Sequence, residues 1–127
     1  MSTEKAMAGA YAVNVTIGNE GMPGAPIVEL ALVVVPSQNK VTGRVHANQA
    51  TEHGDYTGTV EGTIYSTGLG KFTKTIAVKG SITPASGIMP IEIPFDANMA
   101  VDDAWNGVGG FNYLQVHVED VPVKSNK

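Results

Sequence analysis

The stretch Tyr56-Thr57-Gly58-Thr59-Val60-Glu61-Gly62-Thr63-Ile64-Tyr65-Ser66, followed after Gly68-Leu69-Gly70 by Lys74-Thr75-Ile76-Ala77-Val78-Lys79-Gly80-Ser81-Ile82, decides the fold class. Its period is two. Tyr56, Gly58, Val60, Gly62 and Ile64 fall on one face, and the threonines and Glu61 on the other, which is the signature of a half-buried strand. The second run repeats the pattern with Ile76, Val78, Gly80 and Ile82. Two such strands around a glycine-rich connection form a hairpin. Because a one-residue slip turns every apolar side chain outward, the loop must preserve parity. A three-residue loop, Gly68-Leu69-Gly70, does so and predicts Val60 opposite Val78 and Thr63 opposite Thr75, with Gly70 as the left-handed residue.

The same period extends outward. Tyr11, Val13, Val15 and Ile17 alternate with Ala12, Asn14 and Thr16 up to Gly18, and Val41, Gly43, Val45 and Ala47 alternate within Lys40–Ala50. Ile27–Val35 is nearly continuous apolar sequence, which predicts a central strand buried on both faces and stopped by Pro36. Ile88–Phe95 carries Pro90 and Pro94 and reads as an edge strand or extended segment. Phe111–Glu119 reads as the last strand. Ala97, Ala100, Val101, Ala104 and Trp105 recur at helical spacing, with Asp96 as a cap and Gly107 beyond the end, so one short helix is expected near 97–105. The expected architecture is all-β: an antiparallel β-sandwich or flattened barrel of about seven strands. It forms a single domain over 1–127, with frayed tails at 1–8 and 121–127.

Composition narrows the function classes. The chain has 127 residues, 8 Lys and Arg against 12 Asp and Glu, and no cysteine. A net charge of −4 with scattered basic residues lacks the footprint of a nucleic-acid binder. Thiolate metal sites, cysteine nucleophiles and disulfides are excluded. The longest apolar run, Leu30–Pro36, is too short for a membrane-spanning helix. The first residues lack the charged and apolar blocks of a signal peptide. A cytoplasmic location is the default expectation, and secretion without a cleaved signal stays compatible with it.

No motif carries chemistry. Gly68 and Gly70 before Lys71 lack the spacing and the hydroxyl residue of a phosphate loop, and Val108-Gly109-Gly110 does not join a strand to a helix. Only three histidines are present. Among them, His53 lies in the densest polar cluster, Glu52-His53-Gly54-Asp55. His53, Asp55 and His117 are the candidates for an enzyme site assembled from distant residues, against the plainer reading of a solvated hairpin loop and exposed strand histidines. Asp96, Asn98, Asp102, Asp103 and Asn106 form an oxygen-rich stretch of the kind calcium prefers. Ala100 and Val101 depart from the calcium-loop pattern, and helix capping explains the same residues. Trp105, Tyr65 and Tyr113 are candidate aromatics for a glycan groove. The sequence therefore favours a non-catalytic binding or protein-interaction module, with no cofactor, metal or catalytic residue and with a protein or glycan partner. An enzyme, a calcium- or glycan-binding lectin-like domain and a scaffold pairing through exposed edges are the alternatives.

Several motifs in order, Val13-Asn14-Val15-Thr16-Ile17-Gly18, Met22-Pro23-Gly24-Ala25-Pro26, Leu30-Ala31-Leu32-Val33-Val34, Lys40-Val41-Thr42-Gly43 and Asn48-Gln49-Ala50-Thr51, resemble a small bacterial family known as a domain of unknown function. The resemblance lies mainly over residues 11–51. It implies a bacterial origin and brings no activity, cofactor or site residue.

Overall fold

Alternation governs most strands of the computed structural model, which describes residues 9–48, 55–67, 70–85 and 91–126. Eight strands follow one another: β1 (Tyr11–Ile17), β2 (Ile27–Val35), β3 (Lys40–Asn48), β4 (Asp55–Ser66), β5 (Lys74–Pro84), β6 (Ile93–Val101), β7 (Gly107–Tyr113) and β8 (Val116–Ser125). Each pairs antiparallel with the next, and β8 returns to β1, so the sheet closes into a barrel. Of the two expected closures, sandwich and barrel, the sheet takes the barrel, and the strands number eight rather than about seven. The β1–β8 seam is short: Val15, Thr16 and Ile17 meet Ser125, Lys124 and Val123. All of β1 pairs with β2, but only its last three residues pair with β8, so the seam is offset along the strand, as closing a tilted sheet requires.

One set of alternate residues fills the interior. Val15, Ile17, Leu30, Leu32, Val34, Val41, Ile82, Phe95 and Phe111 are fully or almost fully buried. Each such side chain contributes on the order of 1.5–3 kcal/mol of transfer free energy. Tyr56, Phe95, Phe111 and Tyr113 form an aromatic cluster, with centroids of Tyr56 and Tyr113 5.8 Å apart. Trp105 is buried against Tyr11, edge to face at 6.4 Å.

Four inward positions of β3–β5 are glycines, and each faces a strand that comes too close for a side chain. An ideal Cβ on Gly58, Gly62 or Gly80 would stand 1.8–1.9 Å from the carbonyl oxygen of Ser81, Ala77 or Thr59. On Gly43 it would stand 2.1 Å from that of Ala31. Glycine at these points lets the wall curve sharply, which is how a sheet turns a corner.

Several expectations change. β2 is not buried on both faces; Glu29, Ala31 and Val33 face out while Val28, Leu30, Leu32 and Val34 face in. A closed barrel has one outside, and Val33 stays exposed on it. The β4–β5 hairpin keeps the expected faces but is shifted by two residues: Val60 meets Gly80 and Thr63 meets Ala77. The last pair is Ser66–Lys74, with Thr67 N–H donating to Thr73 O at 2.8 Å. The longer loop preserves parity equally well, so alternation could not choose between the two. Gly70 does adopt positive φ, 77°.

The helix expected at 97–105 is absent. Phe95, Ala97, Met99 and Val101 are buried at period two along β6, flanked by partners on β5 and β7. Alanine and asparagine have weak strand preference, but cross-strand packing on both sides overrides it. Nor is the proline segment an edge. β6 lies between two strands, and Pro94 sits at its entrance, just before the first β7 partner pair, Phe95–Tyr113. Residues 86–90, including Pro90, lie outside the described residues. The expected last strand divides in two, with Leu114 (φ 53°) in the turn between β7 and β8. Residues 121–125, expected in a frayed tail, complete β8, with Val121 and Val123 in the core.

Candidate functional site

Cross-strand registers align the outward residues of β4–β8 into rows. Tyr65, Thr75, Ala100, Val108 and Pro122 form an apolar row. Thr63, Ala77, Asn98 and Gly110 form the next, made mostly of small residues. Glu61, Lys79, Asp96, Asn112 and His117 form a third, polar row. Large residues at the margins and Ala77, Ala100 and Gly110 between them leave a groove of about 630 Å³ on the outer wall. Tyr65 stands on one bank, 56% exposed, and His117, Glu119 and Asp120 stand on the other.

The far bank is organised by hydrogen bonds. Asn112 Nδ2 donates to Asp96 Oδ1 at 2.8 Å, which fixes the amide and turns Oδ1 toward His117. His117 Nδ1 bonds that oxygen. His117 Nε2 lies 2.5 Å from Glu119 Oε2. Both ring nitrogens therefore face acceptor oxygens. A bulge places the acids. Gly109 pairs with Val121 and Phe111 with Val118, so Glu119 and Asp120 together oppose Gly110. Asp120 takes positive φ, 58°. The extra residue breaks the alternation and sends two consecutive acids outward, the re-aiming that bulges provide.

The other candidates are dispersed. Asp55 accepts from Asn48 Nδ2 at 2.6 Å and lies 3.6 Å from His46 Nε2, on the outer face of β3 and β4. It is not grouped with His117, and His53 lies outside the described residues. The oxygen-rich stretch is divided as well. Asp96 and Asn98 point outward from β6, whereas Asp102, Asp103 and Asn106 belong to the turn after it. There the Asp102 carboxylate accepts the N–H groups of Ala104 and Asn106 at 2.9 and 3.0 Å, and Asn106 Oδ1 accepts that of Ser125 at 2.9 Å. Asp103 accepts from Thr73 Oγ1 at 2.7 Å, with Lys74 Nζ at 3.4 Å. The Thr73 hydrogen bond, and after it the Lys74 charge, hold its carboxyl below the ordinary range. These oxygens brace the turn that tucks Trp105, at φ 67°, into the barrel. Among the described residues no group of three or more His, Asp or Glu has the arrangement of a metal site.

Of the three candidate aromatics only Tyr65 is exposed. Trp105 and Tyr113 are interior. Tyr113 Oη is buried without a hydrogen-bond partner among the described residues, and burial, with a smaller contribution from Tyr56, pushes its phenol up to about 12. The sequence pattern does not single out Asn112, Glu119 or Asp120. The visible signal was Val118-Glu119-Asp120-Val121, two adjacent polar residues interrupting an alternating run.

Among the described residues no helix is long and apolar enough to cross a membrane. No curated protein matches the chain. The resemblance noted over 11–51 extends much further: residues 8–117, from ahead of β1 into the start of β8, match the family described as Domain of unknown function (DUF1842), and the chain belongs to that family.

Proposed function

We propose that the protein is a non-catalytic binding module that takes a neutral carbohydrate in the groove across β4–β8. The observation that carries this reading is Tyr65, exposed beside a shallow trough of small residues and facing a polar bank. A sugar ring presents an apolar C–H face and a rim of hydroxyls. The tyrosine face suits the first, and the carboxylates of Glu119 and Asp120 with the amide of Asn98 suit the second. His117 supports a positioning role rather than a base role, because both its nitrogens are engaged.

A thermal-shift screen of mono- and oligosaccharides tests this. A sugar at one hundred times its Kd raises stability by about 2.7 kcal/mol. The rise should vanish in Tyr65→Ala and persist in Tyr65→Trp. A panel that leaves the melting temperature unmoved, or a shift that survives Tyr65→Ala, overturns the proposal.

A further inference from the structure

We propose that the outer wall over β1–β4 is a second, separate binding site, for a ligand bearing a carboxylate, with Arg44 as its anchor. This wall carries its own groove of about 700 Å³, floored by the cross-strand row Asn14, Ala31, Arg44 and Thr59. Ala31 ends at a methyl group, so the surface dips beside the guanidinium. Arg44 is exposed and forms no hydrogen bond or ion pair with any described residue. Its planar fork offers five N–H donors and no acceptor, and two of them match the oxygens of a carboxylate.

Two neighbouring acids, Glu29 and Asp55, are set against His46. Glu29 Oε1 lies 3.4 Å from His46 Nδ1, and Asp55 Oδ1 lies 3.6 Å from His46 Nε2, so the imidazole sits between both carboxylates. The remaining lining is neutral: Thr57, Thr59, Asn14 and Asn126. Asn126 is fixed, its backbone N–H donating to Asn14 O at 2.8 Å and its Nδ2 to Thr16 Oγ1 at 2.7 Å. Its Oδ1 stays available to accept from a ligand hydroxyl or amide. One unpaired guanidinium, with Glu29 set against His46 and the other polar lining neutral, selects a carboxylate on a small polar ligand, whether a uronic-acid sugar or a peptide terminus. The groove across β4–β8, with Glu119 and Asp120 on its bank, has the opposite charge character.

The test is an amide-resolved NMR titration of the full chain at millimolar probe. Glucuronate is compared with glucose, and N-acetyl-dialanine with its C-terminal amide. Saturable shifts at Ala31, Arg44 and Thr59 are expected with a carboxylate probe and not with its neutral counterpart. Response to glucuronate alone identifies an acidic sugar, response to the peptide alone identifies a peptide terminus, and response to both means that the carboxylate suffices. Arg44→Lys keeps the charge but loses the fork, and should weaken binding by about tenfold or more. Arg44→Ala should abolish it, with resonances outside the groove unmoved to show an intact fold. Equal shifts from the neutral probes, no saturation with either carboxylate, or unchanged binding in Arg44→Ala overturns the proposal. Tyr65→Ala should leave these shifts intact, so this site and the carbohydrate groove succeed or fail separately.

Discussion

Replacing Tyr113 by phenylalanine removes one oxygen from the barrel interior and leaves the ring contacts to Tyr56, Phe95 and Phe111 in place. The hydroxyl is buried and unpaired among the described residues. An unsatisfied buried hydroxyl costs about 1–3 kcal/mol, so Tyr113→Phe should stabilise the protein at neutral pH. At roughly 3–5 °C per kcal/mol for a chain of this size, the melting temperature should rise by several degrees. The second consequence is at alkaline pH. The folded state holds the phenol proton up to about 12, against an ordinary value of 10.0. The unfolded state therefore releases that proton first. Stability from this group is complete below pH 10 and is lost as the pH rises toward 12, by about 1.4 kcal/mol per pH unit and about 2.7 kcal/mol in all. Urea unfolding followed by circular dichroism, at steps from pH 7 to pH 11.5, measures both effects. Subtracting the Tyr113→Phe curve from the parent curve cancels the other tyrosines and lysines, whose contributions the two proteins share. A variant destabilised at pH 7, or a parent and variant that lose stability in parallel above pH 10, refutes the reasoning and means that the hydroxyl has a partner.

Gly62→Ala should destabilise by about 3 kcal/mol or more, or prevent folding, because its Cβ would meet the Ala77 carbonyl oxygen at 1.8 Å and backbone cannot yield cheaply; chemical denaturation measures it. Trp105→Ala should cost about 3–5 kcal/mol, read as a lower urea midpoint, because it empties the space against Tyr11. The Asp103 carboxyl should titrate below 3.8 by carbon-detected NMR, and Thr73→Ala should move it upward by removing the hydrogen bond that contributes most. Because the folded carboxyl holds its proton less tightly than the unfolded one, whatever stability this contact adds is present above pH 3.8 and lost as the pH falls through the lowered value.

Alternation made the fold class and the inward residues of β1, β3, β4 and β5 legible, because burial on one face of a strand leaves a trace at every second position. Three features left weaker traces. Parity excludes half the hairpin registers but cannot separate a loop ending at Gly70 from one ending at Thr73, and the observed β4–β5 pairing is the second. Ala97, Ala100 and Ala104 satisfy a helical stripe, while Phe95, Ala97, Met99 and Val101 satisfy a strand. Only the partners on β5 and β7 decide between them, and those are non-local. Closure is invisible to a residue-by-residue pattern. It depends on Val123, Lys124 and Ser125 reaching Ile17, Thr16 and Val15, and on the glycines that let β3–β5 curve. The groove inherits all three, since its banks are strands that only the registers bring side by side. Its carboxylates rest on a bulge marked by a single break in alternation.

The seam between β1 and β8 orders the folding of the chain. Every other pairing joins neighbours in sequence and needs only a short loop to close, so hairpins can zip successively from β1 toward β7. The seam joins residues more than one hundred positions apart through three residue pairs, whereas β4 and β5 share eleven. It carries the largest loop-closure entropy and the fewest contacts to offset it. A growing chain therefore holds two open strand edges until β8 is complete, and that interval is when it is most exposed to association with other chains. The same three pairs make the seam the weakest staves of the finished barrel, the place where breathing admits water first.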